Sequence, residues 1–398
     1  MAGVFTIARL PRILFGPGRS SELAPVVRSF GSQALVVVRK GYLHSPECER
    51  LRADLDAAGV AAALEPVSGE PSPDLVDEIV WRTRSAARAD VVVGIGGGSV
   101  VDTAKAVAGL LISGNSVRDH LEGVGPERPY VGPAVPFVAV PTTAGTGSEA
   151  TKNAVLSVPG RFKKSFRDDA LVARVAIVDP DLLASCPPAL IAQNGMDALT
   201  QLLEAYTSSA ANPITDALAL SGLEAARDGL VPWFEAASAA DAPATATARE
   251  RMAYAALCSG ICLAQAGLGA VHGLASPLGA LHPIPHGVAC GATLAAATRT
   301  NLAALSAREP ANPALARYAA VGRLLAADAA ISDADARSAL VALLADWRAR
   351  LSVPELSAFG IVERDLPAVV AGARGSSMKT NPIVLTDAEL LAILGESM

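Results

Sequence analysis

The residues best suited to chemistry are histidines concentrated in one short segment. Three of the five histidines, His272, His282 and His286, fall within GAVHGLASPLGALHPIPHGVAC. Upstream, NGMDALTQLLEAY places Asp197 and Gln201 four residues apart, so a helix would direct a carboxylate and an amide to the same side. Carboxylates and imidazoles are typical ligands of divalent transition metals. The two segments therefore predict a metal site, provided that the fold brings them together.

Two glycine-rich loops in the first half of the chain are suited to binding phosphate. The segment VVVGIGGGSVVDTAKAV runs from an apolar strand through glycines into a helix, and such a turn presents backbone N–H groups and a helix N-terminus to an anion. A tight turn without a ligand would use the same glycines. A second loop, PTTAGTGSEAT at 141–151, follows another strand and adds hydroxyl groups at the same sheet edge. Together the loops predict a nucleotide-binding crevice.

The predicted secondary structure that must position these residues changes near residue 185, from mixed strands and helices to mainly helices. Before it, β-branched runs alternate with amphipathic helical stretches, a pattern typical of a parallel α/β sheet; the runs lie at 34–38, 90–96, 137–142 and 174–179. After it, helical periodicity dominates, with helix starts expected at Asn212-Pro213 and Ser332-Asp333. The stretch SAADAPATATA at 237–247 is predicted to be a loop between helices.

These patterns predict a two-domain protein of the class α/β plus all-α. A Rossmann-like, parallel-sheet dinucleotide-binding domain is expected over residues 1–185, and a helical metal- and substrate-binding domain over residues 186–398. With 398 residues, of which 51% are hydrophobic, the chain is long enough to fill two cores.

Composition argues against several classes of partner. The net charge is −6, and the basic residues are scattered singly, so a nucleic acid partner is not expected. The N-terminal segment has no apolar run that fits a signal peptide or a membrane span, and we expect a cytoplasmic protein without a membrane partner. The five cysteines are widely spaced and odd in number, which argues against a disulfide framework; Cys258 and Cys262, four residues apart, are interpreted as helix core packing.

At the level of whole motifs, the chain resembles the iron-containing (group III) alcohol dehydrogenase family over nearly its whole length. The motifs that carry the resemblance, in the family's order, are GGGSVVDTAK, PTTAGTGSEAT, VDP at 178–180, GMDALTQLLEAY and HGLASPLGALHPIPHG. The resemblance implies a nucleotide-binding domain, a helical domain, NAD(P), a divalent metal such as Fe²⁺ or Zn²⁺, and a small alcohol or aldehyde substrate.

The resemblance also implies which residues contact the cofactor. The pyrophosphate contacts fall on Gly97, Gly98, Ser99 and Asp102. The contacts on the nicotinamide side fall on Thr142, Thr143, Thr146 and Ser148, with Lys164 (or the adjacent Lys163) in a hairpin after that loop.

One position bears on the choice between NADH and NADPH. NAD-preferring members of the family would have an aspartate after the strand ALVVV, and here Arg39 follows it. A guanidinium can pair with the 2′-phosphate of NADPH, and the carboxylate that would repel this phosphate is missing. We therefore expect NADPH to be accepted and slightly favoured; a surface arginine that tolerates both cofactors is the alternative.

The resemblance implies one aspartate and three histidines as metal ligands, and one of them differs in this chain. Asp197, His272 and His286 are in register, but Gln201 occupies the position of the first histidine. Three interpretations remain open: the three residues bind the metal without Gln201, as in the related glycerol dehydrogenases; the Gln201 oxygen is a weak fourth ligand; or the site works without metal. His282 is off the ligand positions and is interpreted as a neighbour of the site.

The function implied is hydride transfer between NAD(P)H and a small aldehyde or alcohol, with the metal as Lewis acid acting through Asp197, His272 and His286. Reduction of an oxo acid, as in maleylacetate reductases, is an alternative, because that group also has altered ligands and RFKKSFRDD carries positive charge. A lyase of the dehydroquinate synthase type and a non-catalytic nucleotide-binding protein are more distant alternatives. A homodimer is expected from the resemblance and from the frequency of C2 dimers.

Overall fold

The computed structural model describes residues 4–86, 88–238, 242–375 and 377–398. Contacts divide the chain into two compact units. One comprises Ala8–Thr143 and Gly147–Ala184, and the other comprises Ala144–Thr146, Ser185–Met398 and the described residues up to Ile7.

The first unit is built on a six-stranded parallel sheet with the strand order β1-β8-β5-β4-β2-β3. Its strands are β1 (Arg12–Phe15), β2 (Gln33–Arg39), β3 (Ala61–Val67), β4 (Val91–Gly96), β5 (Phe137–Pro141) and β8 (Val175–Val178). An antiparallel hairpin joins β6 (Asn153–Val158) to β7 (Phe162–Arg167). The helices are α1 (Leu23–Arg28), α2 (Pro46–Ala57), α3 (Pro73–Ala86) and α4 (Gly98–Leu110). The predicted parallel α/β sheet is confirmed.

The side chains of β2 explain why the sheet is covered on both faces. Leu35 and Val37 belong to one buried cluster with residues of α3 and α4, whereas Val36 and Val38 belong to a second cluster with residues of α1 and α2. Successive strand residues point to opposite faces, so a continuous apolar run requires a helix layer on each side. The carboxyl ends of β2, β4 and β5 are thereby fixed side by side.

The second unit is helical, as predicted. Its helices are α5 (Pro188–Thr207), α6 (Pro213–Ser238), α7 (Ala242–Ala266), α8 (Ala270–Leu281), α9 (His286–Arg308), α10 (Ala314–Ala326), α11 (Asp333–Arg350), α12 (Leu366–Gly372) and α13 (Asp387–Glu396). Helix α5 packs against α6, α7 and α9 and is buried from Gly195 to Thr207. No single helix of the described residues passes the length and hydropathy test for a membrane span, although the pair Thr245–Ala266 and Ala270–Leu281, bent by 100°, passes it together.

The helix starts follow their predicted caps, but one predicted loop is wrong. The Asn212 side chain accepts hydrogen bonds from the first turn of α6, and Ser332 caps α11 through the N–H of Asp335. The stretch predicted as a loop at 237–247 is helical at both ends, where α6 continues to Ser238 and α7 starts at Ala242; residues 239–241 lie outside the described residues. Alanine is the strongest helix former, and the threonines in this stretch are too few to offset it.

Candidate metal centre and nucleotide-binding loops

Helix α5 carries three polar side chains on one buried face. Asp197, Gln201 and Glu204 are separated by four and then three residues, which is the spacing of neighbours along one side of a helix. They are 2%, 2% and 7% exposed, so each needs a partner inside the protein. This face of α5 therefore carries three of the buried polar groups of the helical unit.

Helices α8 and α9 bring the two histidines to that face. His272 lies in the first turn of α8, and His286 is the first residue of α9. The segment His282–Pro285 ends one helix and begins the next, as expected for prolines that cannot continue a helix but fit its start. His282 is the C-cap of α8 and is not part of the cluster formed by the described ligand-type residues.

A glycine allows α9 to approach α5 closely. A Cβ added at Gly287 would lie 2.1 Å from the carbonyl oxygen of Gln193, which no real contact permits. Because Gly287 follows His286 directly, this close approach also fixes the position of the His286 backbone, from which the imidazole extends. The position of His286 therefore depends on a glycine that carries no ligand atom.

The donor atoms of Asp197, His272 and His286 converge on one point. Nε2 of His272 lies 3.1 Å from Oδ1 of Asp197, and Nε2 of His286 lies 3.8 Å from the same oxygen. A fourth residue, Cys290, completes a group whose ligand atoms all lie within 4.8 Å of one another. The structure thus brings together the three residues that the sequence singles out and adds one that it does not.

Gln201 contributes to this cluster through its amide nitrogen. Nε2 of Gln201 donates to Oδ1 of Asp197 at 3.1 Å. A carboxylate only accepts hydrogen bonds, so the amide group nearest to it must be the NH₂. Within the part of the chain that the structure describes, the buried Oε1 of Gln201 accepts no hydrogen bond. Gln201 therefore orients Asp197 in this arrangement.

Glu204, which the sequence did not single out, supports the cluster through hydrogen bonds. Its Oε2 accepts from Nδ1 of His272 at 2.7 Å, and its Oε1 accepts from the N–H of Val271 at 2.7 Å. Because Glu204 accepts the hydrogen bond from Nδ1, Nε2 is the ring nitrogen that faces Asp197 and that would become the donor atom if a metal displaced its proton. Its position seven residues after Asp197 on the same helix face was the available signal.

The charges of the cluster are strongly coupled. Burial opposes ionisation of Asp197, but the charge of His286 and the hydrogen bonds from His272 and Gln201 outweigh it and lower the pKa of this carboxyl. Burial also disfavours the His272 cation, yet the neighbouring Cys290 and Asp197 raise the pKa of His272 well above its usual value. The cluster therefore favours a positive charge next to Asp197. In the absence of metal this charge is the proton on His272, and a divalent metal would compete with that proton for the same nitrogen.

In the sheet unit, the two predicted loops lie side by side at the carboxyl ends of adjacent strands. Gly97 precedes α4, and among the described residues no side chain caps that helix N-terminus. The N–H of Thr142 donates to the carbonyl of Gly96 at 3.0 Å, and a Cβ added at Gly97 would lie 3.2 Å from Thr143. Gly97, Gly98, Ser99 and both threonines thus lie along one edge with the helix N-terminus, a setting suited to a phosphate.

A buried lysine holds the second loop against α4. Nζ of Lys105 donates to the carbonyl of Ser148 at 2.8 Å, to the hydroxyls of Ser148 and Thr151, and to the carbonyl of Asn153 at 2.6 Å. Asp102, one turn earlier, accepts from the Ser148 hydroxyl and, at 3.0 Å, from the N–H of Val155. The Asp102 carboxylate therefore braces the loop, while its role as a cofactor contact stays a prediction. Thr146 belongs to the helical unit.

The structure distinguishes the two lysines of the hairpin and places Arg39. Lys163 pairs with Glu70 at 2.8 Å, whereas Lys164 is exposed and extends from the other face of β7. Arg39 is the exposed last residue of β2, which pairs in parallel with β4. Arg39 therefore lies at the same end of the sheet as the glycine turn that follows β4.

Comparison with known proteins accounts for both units. The family described as "Iron-containing alcohol dehydrogenase" matches residues 11–180, and "Fe-containing alcohol dehydrogenase family, C-terminal" matches residues 191–398. A lactaldehyde reductase of Escherichia coli is 33% identical over 90% of this chain and 90% of its own length. An NAD-dependent methanol dehydrogenase of Bacillus methanolicus is 29% identical over 98% of each chain. The solved structure of a 1,3-propanediol oxidoreductase superposes with a TM-score of 0.86 at 29% identity and covers 100% of both chains.

Proposed function

Because the chain belongs to the iron-containing alcohol dehydrogenase family, we propose that it interconverts small alcohols and aldehydes with NAD(P) and a metal held by Asp197, His272 and His286. The observation that carries this proposal is the convergence of these three side chains from α5, α8 and α9 on one point. The relatives named as methanol dehydrogenase, lactaldehyde reductase and propanediol oxidoreductase support the same class of reaction.

The residues present fit a divalent metal. One carboxylate and two imidazoles are a common donor set of catalytic zinc and iron sites. The pair of His272 Nε2 and Asp197 Oδ1 is 3.1 Å apart, close to the separation of about 3.4 Å expected for two ligands on one tetrahedral ion with bonds of about 2.1 Å. Glu204 supplies the hydrogen-bonded carboxylate that commonly supports a ligating histidine.

The protein's own residues prepare this chemistry. When bound, the metal polarises a carbonyl oxygen and the reduced nicotinamide supplies a hydride. Asp197 offers an ionised oxygen, Gln201 fixes its orientation, and Glu204 holds the proton of His272 on Nδ1. Lys105 fixes the nucleotide loop at four points, so its backbone is ordered before the cofactor arrives.

A screen of aldehydes and alcohols with both cofactors, on protein of measured metal content, tests the function. We expect turnover with short aldehydes, loss of activity after chelation, and recovery with Zn²⁺ or Fe²⁺. Asp197→Ala and His272→Ala should abolish turnover and leave nucleotide affinity nearly unchanged. Full activity of metal-free protein would favour the metal-independent interpretation and overturn the proposed role of these residues.

We also propose that Arg39 makes NADPH slightly favoured over NADH. The support is its exposed position at the end of β2 and the absence of an acidic residue there. Arg39→Ala should lower kcat/KM for NADPH roughly tenfold, as expected for one lost charge-assisted hydrogen bond, and leave kcat/KM for NADH unchanged. Lys40→Ala is the matched control at the adjacent exposed residue. A strong preference of the unmodified enzyme for NADH would refute this proposal.

No specific observation favours the oxo-acid alternative. Its sequence support was the positive charge of RFKKSFRDD, and two of these cations already have acidic partners. Lys163 pairs with Glu70, and Arg167 lies 3.4 Å from Glu122. Oxo acids belong in the substrate screen, and a preference for them over aldehydes would reverse this choice.

The homodimer also stays a proposal. Strand β1 is an edge strand of the sheet, where it pairs with β8 on one side. An open strand edge near the N-terminus is suited to pairing with a second copy of the chain. Light scattering during size-exclusion chromatography would give the mass, and a single mass equal to one chain would refute the dimer. The cytoplasmic location and the expected lack of a nucleic acid partner remain predictions from composition.

A further inference from the structure

Cys290 lies inside the donor cluster on the same helix as His286. The two residues are one turn apart on α9, and Cys290 is fully buried. Its Sγ is 3.7 Å from Nε2 of His272 and 3.9 Å from Nε2 of His286. Of the five cysteines, all of which lie in the described residues, Cys290 is the one that joins the ligand-type group.

We propose that Cys290 is a direct ligand of the metal: its thiol would lose its proton to solvent as the metal binds, and the thiolate would supply the fourth donor that Gln201 does not supply as an imidazole. This inference rests on the metal site proposed above and goes beyond it in the identity of the ligands. The resulting set is one carboxylate, two imidazoles and one thiolate, drawn from α5, α8 and α9.

The distances match a small tetrahedral site. With Zn–N bonds of about 2.1 Å and a Zn–S bond of about 2.3 Å, the edges of a tetrahedron are about 3.6 Å for N···S and about 3.4 Å for N···O. The corresponding distances here are 3.7 and 3.9 Å from sulfur to the two nitrogens, and 3.1 and 3.8 Å from the oxygen to them. Shifts of a few tenths of an ångström, about the size of rotamer adjustments, would complete the site.

The placement of Gln201 supports the same assignment. Its amide nitrogen is committed to Oδ1 of Asp197, and a nitrogen that donates there has no lone pair for a metal. Turning the amide over would set Oε1 against the carboxylate oxygen, and both atoms only accept hydrogen bonds. Gln201 therefore orients Asp197, while the Cys290 thiol, one turn after His286, lies near both imidazoles.

A thiolate ligand would strengthen the preference of the site for Zn²⁺ over Fe²⁺. Nitrogen and oxygen sites bind Zn²⁺ more tightly than Fe²⁺ in any case, and a soft sulfur ligand strengthens that order. A preference for zinc in the unmodified protein would therefore decide nothing by itself. The informative quantity is how far this preference falls when the sulfur is removed. Catalytic zinc sites sometimes expand to five ligands, so a substrate oxygen would bind here as a fifth ligand.

Cobalt substitution tests direct ligation independently of activity. A Co²⁺–thiolate bond gives an intense near-ultraviolet charge-transfer band, whereas Co²⁺ bound by oxygen and nitrogen does not. We expect the band in the unmodified protein and its loss in Cys290→Ala. Cys258→Ala is the matched control, because Cys258 is 1% exposed on α7 and Cys290 is 0% exposed on α9. The control should keep the band.

Metal affinity provides the second measurement. Cys290→Ala should weaken Zn²⁺ binding by more than the roughly 10- to 100-fold that loss of an outer-shell partner costs. Its preference for Zn²⁺ over Fe²⁺ should fall by about tenfold, since the soft ligand is gone. Circular dichroism and the melting temperature of the metal-free variants show whether the fold is intact, and Cys290→Ser, of nearly equal volume, repeats the test if alanine unfolds the protein.

The outcomes separate the two proposals. A cobalt-loaded unmodified protein without the charge-transfer band, or a Cys290→Ala protein that keeps it, overturns ligation by Cys290 and leaves the three-residue metal site standing. An unmodified, folded protein that binds neither Co²⁺ nor Zn²⁺ overturns both. A buried cysteine that only packs would give the first result, with Zn²⁺ affinity within about threefold of the unmodified value.

Discussion

Replacing Gln201 with histidine would return an imidazole to the helix turn that follows Asp197. The Gln201 side chain is 2% exposed, and its amide nitrogen lies 3.1 Å from Oδ1 of Asp197, so an imidazole on the same Cα reaches the same region. The substitution adds a donor to a site that already exists. A gain in affinity cannot be explained by misfolding, which makes this variant more informative than a deletion.

The expected gain follows from two opposing terms. Zinc binding to four-ligand sites yields about 10–16 kcal/mol, or about 2.5–4 kcal/mol for each ligand. Loss of the hydrogen bond from Gln201 to the Asp197 carboxylate costs about 1.5–3 kcal/mol. The difference, about 1–2 kcal/mol, corresponds to Zn²⁺ binding that is roughly 5- to 30-fold tighter.

Competition for Zn²⁺ against a chromophoric chelator measures this change. Gln201→Leu is the control, since it removes the hydrogen bond without adding a ligand and should bind Zn²⁺ more weakly than the unmodified protein. The gain should be larger in the Cys290→Ala background, where the new imidazole replaces the missing thiolate. If Gln201→His binds no more tightly than Gln201→Leu while both melt normally, residue 201 does not face the metal and the reasoning fails.

Three further predictions concern the groups that support the two sites. Gly287→Ala should weaken Zn²⁺ binding and lower the free energy of unfolding by about 1–3 kcal/mol, because the added Cβ meets the Gln193 carbonyl at 2.1 Å. Gly395→Ala on α13 is the control, because a Cβ there meets nothing within 4 Å, and its free energy of unfolding in urea titrations should not fall. Burial raises the pKa of Glu149 from 4.5 to about 7, so the folded state holds its proton more tightly and stability is lost as the pH rises through 7. Between pH 5 and 8, the free energy of unfolding of the unmodified protein should fall by about 3 kcal/mol more than that of Glu149→Gln. Chemical denaturation measures both values, and parallel pH dependences of the two proteins would contradict this prediction. Lys105→Met should lower the free energy of unfolding by about 3–5 kcal/mol, because the contacts of Nζ with four acceptors and the charge facing Asp102 are lost. It should also weaken nucleotide binding, which calorimetry measures. Unchanged stability would show that Lys105 is not needed to hold the loop.

Local patterns were enough to predict the elements that hold the nucleotide loops. The run ending at Gly96 is buried on every residue of β4, and glycine marks the change from strand to helix. Strand β3 had no such signal: it reads AAALEPV, lies at the sheet edge and is only partly buried. Alanine and proline are poor strand formers, so pairing with β2, a contact distant in sequence, decides its structure.

The site was predictable where spacing along one helix decides it. Asp197 and Gln201 share a face of α5 by periodicity alone, and the motif pointed to His272 and His286. Glu204 lies on the same face and was missed because a glutamate in a helix is most often solvated.

Cys290 could not be assigned from spacing, even though it follows His286 by four residues. A buried cysteine on an apolar helix ordinarily packs in the core, and the sequence of α9 around it is alanine-rich. What separates a packing cysteine from a donor is the approach of α9 to α5, which Gly287 permits. That approach joins residues far apart in the chain, so no local pattern contains it.

The proposed ligation by Cys290 would move a ligand from one helix to another on the same scaffold. Gln201 on α5 lies 3.1 Å from Asp197, and Cys290 on α9 lies 3.7 Å from His272, so both residues border the same cluster. A site that two helices approach from different directions can accept a donor from either of them. Exchanging an imidazole on one helix for a thiol on the other alters the softness of the donor set without moving a backbone. On the proposal that Cys290 is a ligand, metal selectivity would depend on which of these two positions carries the donor, and the same helices would serve both arrangements.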